Sequence, residues 1–535
     1  MSDRIVDAVV IGAGHHGLVA AALLADQGWD VVVYEGRDKP GGAVASRTID
    51  GFVVDEFSSY HPLGKASPVL QSLDLERHGL EWVDHRPAVV HVADAEDAEG
   101  SPVLATPEET AAVLDADHPG DGDAWLSLFA GWLRVKEPLL DALLHGWPPV
   151  RAGAELVRRL GPAGLLDFAR FGVLSSQQLG DERFGGTRGP DILAGNAAHA
   201  DVSPLAPVSG FMGFIMAMLA QDVGFPQPRG GSGKLAEAIA ARATAAGARI
   251  ELNSPVTAIS VSGRRADGVR LADGTTVRAR RAVLADVSAP ALYQSLLPRD
   301  AVPAGVLARL HRFAWDPSTL KLNLLLGGPM PWLAARARDA GVVHAGLSHR
   351  TFPRWHTDIV TGKVPERAFC LVGQTTTSDP TRSPAGTESL WAYTHLPRLE
   401  GPAASEAYDR SLETVEAMFD RLAPGWRDLE QGRWLQTPAS LEHDDANLVR
   451  GAVDDGTAQL FQQGPLRPIP GLGGPITHLE GLYLASATTH PGGGVHGGAG
   501  FNAARAALRG AGWTRPIGRA TSKAQWLLQR SLPRF

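Results

Sequence analysis

Three glycines, one carboxylate and a glycine pair carry the first readable chemistry. Gly12-x-Gly14-x-x-Gly17 stands between an apolar run at 5–11 and a helically spaced stretch at 18–27 that Gly28 closes. Residues 31–34 read as a second buried strand, and Glu35 follows it, 18 residues past Gly17. Each part has a physical reason. Gly12 permits the tight turn off the strand, Gly14 lets a pyrophosphate approach bare backbone, and Gly17, with Ala21, lets the helix pack close to the sheet. The helix start offers N–H groups and a positive dipole end to phosphates. Glu35 can accept both hydroxyls of an adenosine ribose, and its charge disfavours a 2′-phosphate, which argues against NADP. A glycine turn in an ordinary β-α-β unit is the structural alternative. The complete strand–loop–helix–strand–acid context favours a dinucleotide site.

A second segment is as distinctive. Gly481-Leu-Tyr-Leu-Ala-Ser-Ala-Thr-Thr-His490-Pro491-Gly492-Gly493-Gly494-Val495-His496-Gly-Gly-Ala-Gly500-Phe-Asn502-Ala-Ala reads as a buried strand, a glycine-dense loop and an Ala-rich helix. Such a loop brings bare backbone against a flat or anionic ligand. Gly230-Gly-Ser-Gly233-Lys234 is the only rival phosphate loop. It fails, because Pro228 stands where the first glycine belongs and Leu235 replaces the hydroxyl residue. It reads instead as a glycine-capped helix start. The single cysteine, Cys370, excludes an intrachain disulfide, a CxxC redox pair and a multi-Cys zinc site. The histidines show no HExxH spacing and no GxSxG frame occurs, so neither a metal site nor a serine hydrolase is expected.

The elements that must position these groups are partly legible. A helix capped near Ser232 and ended by Gly247 leads into a meander at 249–252, 255–261, 268–271, 275–278 and 282–285. Asp267-Gly268 and Asp273-Gly274 are the hairpin turn signals within it. Strands at 319–326 and 369–376 and a helix at 404–422 are expected farther on. Residues 94–123 hold ten Asp or Glu and no Lys or Arg, which reads as a solvated helix and loops. Residues 211–220 hold three of the six methionines. They read as a buried helix or, more sharply, as the adaptable wall of an apolar tunnel through Met212 and Met216.

Composition sets the outer bounds. The 535 residues are 44% hydrophobic and 20% charged, ordinary for a globular chain. A net charge of −8 argues against gripping nucleic acid. No run reaches the roughly 18 apolar residues of a membrane span, and a soluble cytoplasmic protein is the expectation. After Glu480 there is no acid, and the last 55 residues carry seven Lys or Arg. Trp526, Leu527, Leu528, Leu532 and Phe535 among those bases suggest an anionic membrane surface, a protein contact or a packed helix for 515–535.

Gly41-Gly42 follow Glu35 by six and seven residues. The extended pattern GxGxxGxxxAxxL…VxVxE…GG resembles that of flavoproteins of the glutathione-reductase and amine-oxidase type, which bind FAD. With the 490–504 segment, the chain resembles the phytoene-desaturase-like branch of the FAD-dependent oxidoreductases. It is nearer to the type called pyridine nucleotide-disulfide oxidoreductase domain-containing protein 2 than to true carotenoid desaturases, in which proline commonly stands at the place of His496. The resemblance implies an α/β fold with a Rossmann-like FAD-binding domain and a discontinuous α+β substrate domain. The first would comprise 1–85, 226–300 and 471–514, and the second 86–225 and 301–470. It further implies that Gly12, Gly14, Gly17, Glu35, Gly41 and Gly42 hold the ADP part. Val256 would meet adenine through its backbone, and His490, Pro491, Gly492, Gly493, Gly494 and Val495 would lie along the isoalloxazine.

Tyr60-His61-Pro62 falls where chains of this kind pass the flavin, so Tyr60 or His61 could orient substrate. His61 and His496 are candidate bases should a proton leave beside the hydride; structural histidine is the alternative for both. The expected activity is hydride removal from an apolar or mixed small molecule, desaturation of a C–C bond first. Oxygen or a quinone would reoxidise the flavin, since no NAD(P) domain is evident. The rivals are an amine or amino-acid oxidase releasing hydrogen peroxide, a redox-neutral isomerase or saturase, and a flavin-holding interaction protein.

Overall fold

The computed structural model describes residues 4–512 and 515–531. The N-terminal strand Arg4–Ile11 sits at the centre of a seven-stranded sheet. It pairs in parallel with Val31–Tyr34 on one side and Thr276–Ala285 on the other. Arg249–Glu251 extends the first side, while the hairpin Val256–Ser262 and Arg265–Leu271 and the short strand Leu482–Leu484 both join Thr276–Ala285. Parallel strands buried on both faces must be apolar throughout, and Val9, Val10, Val32, Val33 and Val283 are all fully buried. One face is covered by the helices His15–Ala25, Gly233–Ala245 and Gly498–Ala511. The other carries Ile259, Val269, Leu292, Val306 and Leu310.

One expected turn is absent. Asp267-Gly268 lies inside the strand Arg265–Leu271, and the chain reverses at Gly263, whose φ is +61°. Gly268 serves packing instead: a Cβ there would stand 2.3 Å from the Val277 carbonyl oxygen across the ladder. The turn at Asp273-Gly274 is present, with Gly274 at φ +87°. The expected strands 275–278 and 282–285 are one continuous strand, Thr276–Ala285.

The second sheet has the order Glu430–Gln436, Ser318–Leu326, Glu388–Leu396, Cys370–Gln374, Val342–Ala345, Val89–Val92, Ser101–Val103. Alternation along Ser318–Leu326 divides its faces. Leu322, Leu324 and Leu326 pack with Val415, Met418, Phe419 and Leu422 of the helix Pro402–Leu422. Thr319, Lys321 and Asn323 take the opposite face. The acidic stretch forms the helix Pro107–Asp117, started by a capping box between Thr106 and Glu109. It packs beside the long helix Asp121–Leu144.

A buried ion pair, Arg382 Nη2 to Asp55 Oδ2 at 2.8 Å, links the short turn Pro380–Arg382 to a small hairpin far away in sequence. Asp55 ends the small hairpin Ser46–Ile49 and Phe52–Asp55. Toward the C-terminus, the helix Arg515–Ser531 packs through Gln529, which donates to the Pro470 carbonyl at 2.9 Å, and Trp526, which lies under Arg264 at 4.5 Å. Residues 532–535, part of the basic apolar tail, lie outside the described residues.

Candidate active site

Parallel sheets bind ligands at the carboxyl ends of their strands, and the glycine loop begins there, after Ile11. Gly12 has φ +92°, and a Cβ on it would come 2.8 Å from the Asp286 carbonyl oxygen. A Cβ on Gly17 would come 2.3 Å from the Gly12 carbonyl, so the close helix-to-strand approach is real. Gly41 and Gly42, at φ +130° and +56°, fold back on the first loop, and the Gly41 N–H donates to the Ala13 carbonyl at 2.8 Å. Glu35 is buried and accepts the Ala13 N–H at 2.7 Å and the Arg37 N–H at 2.9 Å. Val256 starts its strand beside Leu271 and packs partly into the core; it does not line the cavity described next.

A cavity of about 430 Å³ runs from Gly14 and Gly42 to the second sheet. Asp286 borders its start and accepts the Gly17 N–H at 2.8 Å. Burial holds this carboxyl well above the usual range, and Asp445, Asp455 and Glu35 add repulsion. Burial also raises Asp445. Both are therefore biased toward the neutral acid, the form able to donate to a phosphate or hydroxyl oxygen. The bare backbone at Gly14, where a Cβ would meet Asp286 Oδ2 at 2.5 Å, makes a cradle. Together with the helix start and Glu35, it fits a dinucleotide.

The glycine-dense loop divides at its first residue. Pro491, Gly493, Gly494 and Val495 line the cavity. His490 does not: its Nε2 contacts the His145 carbonyl at 3.0 Å, and the residue lines a separate outer groove. Gly492 packs on Arg467. His496 is also turned away. Its Nδ1 accepts the Gly498 N–H at 3.0 Å, its ring lies 5.2 Å from His16, and burial pushes its imidazole down to about 3. The histidine braces the loop into the helix Gly498–Ala511 and is not brought to the reacting space.

Tyr60 and His61 do line the cavity. The Tyr60 hydroxyl is engaged by Gly341 O at 2.9 Å, Gln374 O at 3.0 Å and Ser378 Oγ at 3.0 Å, and burial raises its phenol. Its ring, with the hydroxyl anchored in the second sheet, forms the wall. His61 Nε2 is buried with no partner, and burial lowers the imidazole to about 4. It stands as a neutral ring. Met212 and Met216, on the helix Ser209–Asp222, face the same space, while Met218 is core.

Lys321 also lines the cavity, from the strand Ser318–Leu326 next to the edge of the second sheet. Its Nζ donates to the Asp55 carbonyl and, at 3.0 Å, to the Phe57 carbonyl. Burial pushes its ammonium down to about 7, against the pull of Asp55 and Glu56. A lone lysine inside Leu320-Lys-Leu-Asn-Leu was a usable signal for it. Asp286 had one too, as the acid directly after a strand beside the first. Cys370 is buried, with its thiol pushed up. Among the described residues no group of three or more His, Cys, Asp or Glu is placed to hold a metal ion, and no helix is long and apolar enough to cross a membrane.

The profile of the flavin-containing amine oxidoreductases matches residues 17–508. The chain belongs to that family. It is a flavin oxidoreductase with the α/β fold described above. It is 29% identical to rat pyridine nucleotide-disulfide oxidoreductase domain-containing protein 2, covering 94% of this chain and 93% of the relative. It is 27% identical to the zeta-carotene-forming phytoene desaturase of Myxococcus xanthus, covering 91% and 90%. The cyclohexylamine oxidase of Brevibacterium oxydans shares the fold, with a TM-score of 0.54 at 16% identity over 97% of this chain and 99% of that one.

Proposed function

We propose that the protein is an FAD-dependent dehydrogenase of the desaturase type, acting on an apolar or mixed small molecule. One observation carries this reading: the cavity joins the glycine-lined cofactor path to a wall of Leu63, Met212, Met216 and Leu448. The histidines bordering it are held neutral by burial, so no fixed charge greets a substrate from that side. The hydrocarbon named for the Myxococcus relative agrees with such a wall. Gly12, Gly14, Gly17, Glu35, Gly41 and Gly42 would hold the ADP part. Pro491, Gly493, Gly494 and Val495 would lie along the ring system. FAD, when bound, supplies the hydride acceptor, and oxygen or a quinone serves as its oxidant.

Forming a C=C bond also requires loss of a proton from the neighbouring carbon. Lys321 suits that task better than His61 or His496, because its value near 7 matches a base working at neutral pH. A neutral amine has two N–H bonds, and the Asp55 and Phe57 carbonyls use both. The lone pair is then left for a proton. His61 and Tyr60 shape and orient. A second reading, oxidation of an amine, is favoured by Asp445, Asp454 and Asp455 on the same cavity. Burial raises all three toward the neutral acid, however, which weakens their hold on a cation. Anaerobic mixing of the holoprotein with terpenoids, oxygenated ones included, and with primary amines separates the two. Bleaching of the visible bands by a terpenoid is expected. Bleaching by amines alone, with peroxide on admitting air, would replace this proposal with amine oxidation.

A further inference from the structure

Three histidines from three separate segments meet beside the cavity. His199 follows the helix Arg188–Ala197, His344 lies in the strand Val342–Ala345 and His91 in the strand Val89–Val92. His199 lines the cavity, and its Nε2 lies 2.8 Å from His344 Nε2. His91 Nε2 lies 2.6 Å from the Leu347 carbonyl. The Nδ1 atoms of His91 and His344 are both buried without a partner. They converge over Gly195, where a Cβ would meet them at 2.5 and 2.7 Å. His199 Nδ1 forms no hydrogen bond among the described residues, and it is the ring's remaining polar atom.

The protons can be assigned along this chain. A carbonyl only accepts, so His91 carries its proton on Nε2 and leaves Nδ1 bare. Between His199 and His344, one nitrogen must donate and the other accept. If His199 donated, His344 would carry its proton on Nδ1, a buried N–H with no acceptor in reach. Orphaned buried N–H groups are rarer than under-used acceptors. The other arrangement, in which His344 Nε2–H donates to His199 Nε2, leaves only bare lone pairs over Gly195. It places the single proton of His199 on Nδ1. Burial keeps both rings neutral, with His199 pushed down to about 3 and His344 well below its usual range.

We propose that His199, held in one tautomer by His344, presents Nδ1–H to the cavity and binds a hydrogen-bond acceptor oxygen on the substrate. The ligand is then a largely apolar molecule with a carbonyl, carboxylate or ether oxygen, not a pure hydrocarbon. This rests on the reading of the cavity as the substrate site. It narrows that reading to the mixed class. His344 and His91 are positioning residues, since they reach the ligand only through His199.

The test uses the holoprotein and a matched pair of probes, dodecane and 2-dodecanone, followed by the shift they cause in the visible flavin bands. The ketone should bind roughly five- to ten-fold more tightly than the alkane, the worth of one net hydrogen bond. That preference should vanish in His199→Leu. It should survive in His199→Asn, whose amide can supply the donor near the Nδ1 position, and in His344→Gln, which keeps a donor toward His199. Equal affinity in the native protein, or a preference that survives His199→Leu, overturns the inference while leaving the substrate site standing. A band shift from neither probe overturns both. Independently of ligand, a long-range ¹H–¹⁵N spectrum of histidine-labelled protein, assigned by the signals lost in His199→Asn, should show His199 protonated at Nδ1. Protonation at Nε2 overturns the inference.

Discussion

Replacing Lys321 with methionine should change how stability depends on pH, and the size of the change follows from the burial of one amine. In the folded chain the ammonium titrates near 7, against 10.5 when unperturbed. Below 7 the fold must carry a buried charge. Between the two values the unfolded chain binds the extra proton, so native stability rises with pH there. The penalty is therefore fully present below pH 7 and lost as pH approaches 10.5. From pH 6 to 9.5 the relief amounts to about 3 kcal/mol at about 1.4 kcal/mol per unit. An unfolding entropy of about 2.1 cal/mol/K per residue converts that to roughly 3 °C for a chain of this length. Calorimetric melting of native protein and Lys321→Met at both pH values reads it directly. The native Tm should gain roughly 3 °C on the variant between pH 6 and 9.5. The offset at either pH also contains lost hydrogen bonds and repacking, so the pH dependence is the diagnostic quantity. A difference between the two proteins that stays constant with pH would refute a neutral, buried Lys321, and with it the proposed base.

Other perturbations follow from the same geometry. Gly14→Ala puts a methyl 2.5 Å from Asp286 Oδ2; the strain of about 1–3 kcal/mol should cut flavin retention roughly five-fold or more, read as the ratio of visible to ultraviolet absorbance. Asp55→Asn leaves Arg382 buried without its charge partner, which costs roughly 3–5 kcal/mol and should lower Tm by roughly 3–4 °C; an unchanged melt would show that the pair does not support the fold. Met212→Ala with Met216→Ala should alter the order of preference among apolar ligands of different width in a flavin-shift titration. A changed melting point with unchanged preference would assign both residues to packing alone.

The dinucleotide end was legible because its signals are local. Strand, glycine loop, helix, second strand and acid lie within residues 4–35, and each role is set by neighbours in the chain. Gly268 shows the limit of such reading. A glycine after an aspartate signals a turn, but here the missing side chain lets Val277 approach across the ladder. The reacting space was less legible because it is assembled across long separations. Lys321 reaches carbonyls 266 and 264 residues away, and His199 meets His344 across 145. His490 and His496 were singled out by their place in a glycine-rich loop. Which way each ring turns depends on His145, on Gly498 and on the helix that follows. Sheet pairing and the packing of the helix Ser209–Asp222 bring Lys321, Asp286 and Met212 around one cavity, and no spacing in the chain states that arrangement.

FAD would be held by the glycine cradle, Glu35 and the loop residues Pro491, Gly493, Gly494 and Val495. The most direct measurement is the visible spectrum of the purified protein, followed by denaturation and identification of whatever chromophore is released. The bands of bound oxidised flavin and release of FAD are expected. A colourless protein that also fails to take up added FAD would contradict this assignment.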